Sequence, residues 1–412
     1  MNNYHDPVRH LEYLRQSLSQ DKKPIGFFIS AGCPLAVTMP TIDKWPLIPD
    51  VKNLTMWINE QLIGNPEYQI LLIELVKSKK NPNNIEDILS FLRGLQSVSV
   101  GGNVRGLSED NLVNLEKEIC KKIVAKINVH LPDNKTPYHT LVRWISSIDR
   151  EMPIEIFTTN YDLLLEKAME YMELPYFDGF VGSIKSFFDL RAVENGKIPF
   201  HWTRLWKIHG SLNWYQDISV DNKKIFRSSE VKNDATQLIY PSHLKYEQSR
   251  KMPYLALIDQ LSKFIKQKSS LLIISGYSFN DDHLNDTIIN ALKANPSAMV
   301  LALMYDTYSF VNDDGDNEDR YSKAYQLAEK RPNLNIWTYN KAIIGTNPGE
   351  WKQMKPTDEQ AISKFIESET ISVVGVPDTI ETRIKLGDFN KFAEFLKTLI
   401  GLEKQTDKDS VK

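Results

Sequence analysis

Apolar positions along the chain follow two alternating rhythms. Short runs that are apolar at every position give way to stretches where apolar residues recur at three and four. The first helix starts at Asp6-Pro7, a capping side chain followed by proline at the first helical position, and carries Val8, Leu11, Leu14 and Leu18 on one face. Lys23–Ile29 (KPIGFFI) reads as a buried strand that ends in Ser30-Ala31-Gly32-Cys33-Pro34. From about Leu54 to Leu131 the spacing is helical: PEYQILLIELVKSKK, IEDILSFLRGL, then Leu112, Leu115, Ile119, Ile123 and Ile127. The intervening VSVGGNVRGLS is punctuated by three glycines and reads as a loop. After Thr136-Pro137, strands and helices alternate. The strand Ile154–Thr158 leads into a helix reaching Tyr171, and Leu205–Ile208 and Leu238–Tyr240 are short strands. The helix Tyr254–Lys266, the strand Leu271–Ser275, a helix through Ala294 and the strand Met299–Tyr305 follow. One more helix and the strand NIWTY lie between Tyr321 and Asn340, and Ile384–Asp388 leads into the amphipathic helix FNKFAEFLKTLI. Strands separated by helices predict an α/β fold, doubly wound around a mostly parallel sheet.

Such sheets bind ligands beyond the carboxyl ends of their strands. Four strand ends here carry small or polar residues: Ser30-Ala31-Gly32-Cys33, Thr159-Asn160-Tyr161-Asp162, His209-Gly210-Ser211, and Gly276-Tyr277-Ser278. Each has an ordinary structural reading beside the functional one. The first is an unremarked βα turn, the second a helix cap made by Asn160 or Asp162, the third a structural histidine, and the fourth a turn followed by a cap at Asp281 or Asp282. Their joint order along one chain is what points to a nucleotide site.

Composition narrows the possibilities. With 412 residues, 42% hydrophobic and 25% charged, the chain is an ordinary globular protein large enough for more than one structural unit. A net charge of −3 gives no overall attraction to nucleic acid or anionic membrane. The only cysteines, Cys33 and Cys120, exclude a disulfide framework and a thiolate-rich zinc site. No apolar run reaches the ~20 residues a membrane helix needs, and the start lacks a signal-peptide core, so a cytoplasmic protein is expected. The acidic stretch NDDGDNED does not have calcium-loop spacing around Gly315.

The order of the four segments resembles the sirtuin family, and more closely the prokaryotic sirtuin-like NAD hydrolases of antiphage defence. The resemblance covers about residues 24–36 and 154–305. It implies a Rossmann-like sheet in which residues 1–53 and 132–310 form the NAD-binding domain. Residues 54–131 would be a helical insertion, and 311–412 a C-terminal α/β extension for oligomer or partner docking. It also implies roles. Ser30, Ala31, Gly32 and Cys33 would hold the diphosphate; Asn160, flanked by Thr159, Tyr161 and Asp162, the nicotinamide ribose and water; His209 would act as base; and Gly276, Tyr277 and Ser278 would meet the adenosine side. The chain departs from the family at Ser30 and Pro34, lacks the two Cys-x-x-Cys pairs of the deacetylase zinc ribbon, and shows only Pro49-Asp50-Val51-Lys52 where a Pro-Asp-Phe-Arg loop is usual.

The expected function is therefore cleavage of NAD, as substrate and without zinc, to nicotinamide and ADP-ribose, depleting NAD in abortive infection. An NAD-dependent protein deacylase and a non-catalytic NAD or ADP-ribose sensor are the alternatives. The bond breaks through an oxocarbenium-like state, and nicotinamide departs neutral, so no general acid is required. A neutral amide and a histidine base suit that chemistry. The resemblance further implies a homo-oligomer partnered by a HerA-type ring ATPase, with a short Argonaute as the alternative partner.

Overall fold

A strand that is apolar on both faces must be covered on both sides, and the chain satisfies this with one long sheet between two helical layers. The computed structural model describes residues 3–39, 46–132, 135–216, 225–231, 253–312, 315–354, 359–371 and 379–400. The sheet is built from Tyr4–His5 (β1), Ile25–Ile29 (β2), Glu155–Thr158 (β3), Tyr176–Phe177 (β4) and Thr203–Lys207 (β5). It continues with Leu271–Ser275 (β6), Met299–Leu303 (β7), Leu334–Trp337 (β8), Lys341–Ile344 (β9) and Asn347–Trp351 (β10). Their spatial order is β1-β10-β9-β8-β7-β6-β2-β3-β5-β4. Only the β8–β9 and β9–β10 pairs are antiparallel.

Alternate strand residues feed two separate cores. Phe27, Ile29, Ile156, Leu205, Ile273 and Leu301 point to one face, and Phe28, Phe157, Trp206, Ile274 and Ala302 to the other. The first face is covered by Pro7–Leu18 (α1), Pro137–Ser146 (α6) and Leu164–Tyr171 (α7), whose buried residues share its core. That core runs on into Val51–Gln61 (α2), Pro66–Lys77 (α3), Ile85–Val98 (α4) and Glu109–Ile127 (α5). The second face is covered by Tyr254–Ile265 (α8), Asp282–Ala294 (α9) and Ser322–Ala328 (α10). The expected doubly wound, mostly parallel α/β fold is the observed one.

Local differences have identifiable causes. The glycine-rich stretch expected to be a loop contains a minimal hairpin, Asn103–Val104 with Leu107–Ser108, whose turn places Arg105 and Gly106 at φ 50° and 82°. The helical region begins at Val51 rather than Leu54, because Asp50 caps it by accepting from the Asn53 amide at 2.7 Å. The strand expected at Ile384–Asp388 is instead the end of the Thr379–Ile384 strand, which pairs with Ile366–Ile371. The helix Phe389–Lys397 (α11) then inserts Phe389 against Tyr138 and Phe392 against Phe27, so it belongs to the core of the first face. Phe180–Val181, Ser186–Phe188, Ile225–Arg227 and Trp214–Gln216 form a separate four-stranded sheet that the apolar pattern did not announce. The expected strand Leu238–Tyr240 lies outside the described residues.

Candidate active site

The first and fourth strand-end turns interlock. Ladder bonding between β2 and β6 continues past both strands: the Ser30 amide donates to Ser275 O and the Gly32 amide to Gly276 O, each at 3.0 Å. A Cβ added to Gly32 would lie 2.8 Å from the Gly276 Cα, and one added to Gly276 would lie 2.7 Å from the Cys33 nitrogen. Gly276 also holds φ +71°, a left-handed conformation open to glycine. The helix expected after Gly32 is a four-residue 3₁₀ turn, Cys33–Ala36, because Pro34 supplies no amide and the Cys33 amide donates to Ser30 O at 2.9 Å. The Gly32 and Cys33 amides are thus both committed internally. The Cys33 thiol is buried, and burial pushes it up to about 12, so it stays a neutral packing group.

In the second turn neither candidate caps the following helix, whose flanking residue is Leu163 with no side-chain cap. Asp162 accepts from the Leu164 amide at 2.9 Å, while Asn160 turns across to β2 and donates its amide to Ser30 O at 3.3 Å. The Thr159 and Ser30 hydroxyls are 2.7 Å apart. Lys207, buried at the end of β5, donates to the Asp162 carbonyl and to Glu166 Oε1 at 2.7 Å, pinning this turn from below. Burial raises the Asp162 carboxyl above its ordinary range despite Lys207.

The third turn brings His209 to the same place. Gly210, at φ +98°, reverses the chain immediately after it. His209 Nε2 lies 3.5 Å from Asp281 Oδ2, and its ring sits 6.4 Å from that of Tyr161. Asp281 has two jobs: its other oxygen, Oδ1, caps α9 by accepting from the His283 and Leu284 amides at 3.1 and 3.2 Å. Tyr277 is a wall residue, with its ring 5.2 Å from Phe28 and 4.8 Å from Phe279 and its hydroxyl 2.9 Å from Asn285 Oδ1.

These turns border one cavity of about 1180 Å³, lined by Ser30–Cys33, Thr159–Asp162, His209 and Gly276–Ser278, while Gly210 and Ser211 of the third segment lie outside its lining. Across the sheet the order is His209 after β5, Asn160 after β3, Gly32 after β2, Gly276 after β6 and Met304-Tyr305 after β7. Four strand spacings of about 4.8 Å make the edge roughly 19 Å long, so the cavity suits an extended ligand rather than a compact one. Sequence reasoning missed several of its walls. Asp281 was visible only as a cap; its carboxylate faces His209 because the loop from Gly276 to Asn280 carries it there. Glu86 comes from the helical region, which carried no chemical signal, and Lys52 was noted only within Pro49-Asp50-Val51-Lys52, where the family loop is missing. Gly387 and Asp388 close the far end. Gly387 is set so tightly on the Met304 carbonyl that any Cβ would overlap it, and Asp388 caps α11 through the Asn390 amide at 2.8 Å.

A sheet of this topology with a long cavity at its carboxyl edge defines a doubly wound, Rossmann-like α/β protein. Within it, residues 154–329 match the family described as a SIR2-like domain, a segment that contains Asn160, His209 and Gly276 but not Ser30–Cys33. No curated protein matches the chain. Among solved structures, the chain is 11% identical to one titled as the structural basis for the mechanism and regulation of Sir2 enzymes, covering 72% of this chain and 85% of that one at a TM-score of 0.30. It is 13% identical to a Sir2 mutant recorded with a p53 peptide and NAD, covering 78% and 98% at a TM-score of 0.29. Among the described residues, no helix is long and apolar enough to cross a membrane.

Proposed function

We propose that this protein binds NAD along the carboxyl edge of β5, β3, β2, β6 and β7 and hydrolyses its nicotinamide–ribose bond. The observation that carries the reading is the convergence of Asn160 and the His209–Asp281 pair at one end of a cavity long enough for a dinucleotide. The SIR2-like match over residues 154–329 supports it. The C1′–N bond breaks with its electron pair passing to the pyridinium, which leaves as neutral nicotinamide. A water adds to C1′ and gives up its proton, leaving ADP-ribose. Asn160, held by Ser30 O, has its amide oxygen available to orient a ribose hydroxyl or that water. His209 takes the proton, and Asp281 orients the ring and favours its charged form. Ser30, Ala31, Gly32 and Cys33 border the middle of the ligand. Gly276, Tyr277 and Ser278 lead to the adenosine end at Tyr305 and Asp388.

In this reading the cytoplasmic enzyme depletes NAD as an antiphage effector. Residues 1–53 and 132–310 form the body of the catalytic domain, 54–131 an insertion that adds Glu86 to the cavity, and 311–412 a C-terminal extension that completes the sheet with β8, β9 and β10, adds Gly387-Asp388 to the cavity and leaves its outer surface for assembly. The chain works as a homo-oligomer with a HerA-type ring ATPase. These points rest on the sequence resemblance. Incubating the protein with NAD, alone and with such an ATPase, and identifying products by mass tests the chemistry. Nicotinamide and ADP-ribose in equal amounts are expected, with Asn160→Ala slower by about 10²-fold or more. Intact NAD in both incubations, or a fully active Asn160→Ala variant, overturns the assignment.

A further inference from the structure

Among the described residues, five carboxylates line the cavity, Asp50, Glu86, Asp162, Asp281 and Asp388, against the single lysine Lys52. Four of the five are occupied. Asp50 and Asp388 each cap a helix start, accepting from the Asn53 and Asn390 amides, Asp162 accepts from the Leu164 amide, and Asp281 caps α9 while facing His209. Glu86 differs. Its backbone amide is taken by the Asn84 side chain at 2.9 Å, but its carboxylate makes no hydrogen bond or ion pair among the described residues. Its place is fixed by Ile85, which is buried in the core against which Tyr161 packs, and whose amide donates to Thr55 Oγ1 at 2.8 Å. Burial, and after it the negative charge of Glu86, pushes the Tyr161 phenol upward, Arg93 opposes this and Asp281 adds to it, so both carboxylates are felt at that ring together with one cation. The Tyr161 hydroxyl is itself buried without a hydrogen-bond partner, and its ring adjoins His209.

We infer that Glu86, delivered by the helical region, is the anion that faces the cationic end of the ligand, selecting oxidised NAD over its reduced form and stabilising the charge that develops on the ribose. The inference rests on assigning the cavity to NAD with nicotinamide at the His209 end. The oxidised ring carries a positive charge that the reduced ring lacks, and bond cleavage moves that charge onto the ribose. A carboxylate with no competing partner in a half-enclosed site interacts with both. Asn160 is neutral and His209 gains positive charge in the reaction, so neither supplies this stabilisation.

The test uses the full chain, with its ATPase where that is needed for turnover, and pairs a binding readout with a rate. Titration calorimetry with NAD and with NADH should show the wild type preferring NAD by about 10-fold or more. Glu86→Gln, of the same size, should bring that ratio close to one and slow cleavage by about 10²-fold. Glu86→Asp, which keeps the charge, should retain a preference. Thermal melting confirms that the variants fold. If Glu86→Gln keeps both the preference and the rate while Asn160→Ala abolishes cleavage, the role of Glu86 is refuted and the NAD reading stands. A wild type that binds neither nucleotide overturns both.

Discussion

The tight crossing of Gly32 and Gly276 makes Gly276→Ala the most demanding test of the cavity's architecture. The new methyl carbon would lie 2.7 Å from the Cys33 nitrogen, 2.9 Å from its sulfur and 3.0 Å from the Gly32 nitrogen. Ordinary contact begins near 3.4 Å, so the two turns would have to part by several tenths of an ångström. Overpacking of this kind costs about 1–3 kcal/mol. Holding alanine at φ +71° adds about 1–2 kcal/mol, for a total of roughly 2–5 kcal/mol. Gly32→Ala isolates the first contribution. Its Cβ would meet the Gly276 Cα at 2.8 Å, but its φ of −74° is ordinary for alanine, so it should be milder by about 1–2 kcal/mol. Because both substitutions strain one contact, the double variant should destabilise less than the sum of the singles. Differential scanning fluorimetry with and without NAD reads both effects. Gly276→Ala should lower the melting temperature by about 2–6 °C and erase the shift that NAD produces. A variant that melts with the wild type and responds equally to NAD would refute the interlocked-turn account.

Other outcomes follow from the same geometry. Asp281→Asn keeps a good cap for α9 but removes the charge 3.5 Å from His209, so melting should hold while NAD cleavage falls about 10²-fold; an unchanged rate would detach Asp281 from the chemistry. His209→Ala should lose turnover while retaining NAD affinity by calorimetry, since a base acts mainly in the transition state; parallel loss of affinity and stability would make it a structural residue. His10, packed among His5, Trp337 and Trp351, is lowered to about 4, chiefly by burial. The unfolded chain therefore takes up this proton first as pH falls, and stability contributed above about pH 6.5 is lost between there and about pH 4. His10→Gln should flatten that part of the melting-temperature profile, and an unaltered profile would contradict the burial argument.

The sequence by itself determined the layers and the turns. Apolar runs such as Leu271–Ser275, with no polar side, require cover on both faces, and that requirement alone implies a sheet between two helical layers. Helix starts at Pro7, Pro66 and Pro137 were legible because a capping side chain and proline act within a few residues. The four turns that border the cavity were legible for a related reason: they punctuate strong strands, and their residue types are unlike anything a core needs. The strands β9 and β10 escaped notice because their pattern is short and mixed, and pairing of β9 with β8 and of β10 with β9 and β1, rather than propensity, makes them strands.

What the chain could not state locally was adjacency. That Asn160 turns across the sheet instead of capping the next helix depended on Ser30 O, 130 positions away, being placed to receive its amide. The pairing of His209 with Asp281, the arrival of Glu86 from the helical region and the closure of the far end by Gly387-Asp388 all depend on the order of strands in the sheet. Periodicity reports which face of an element is buried, because burial acts on each residue where it stands. It is silent on which elements become neighbours, because that is settled by packing the whole sheet at once.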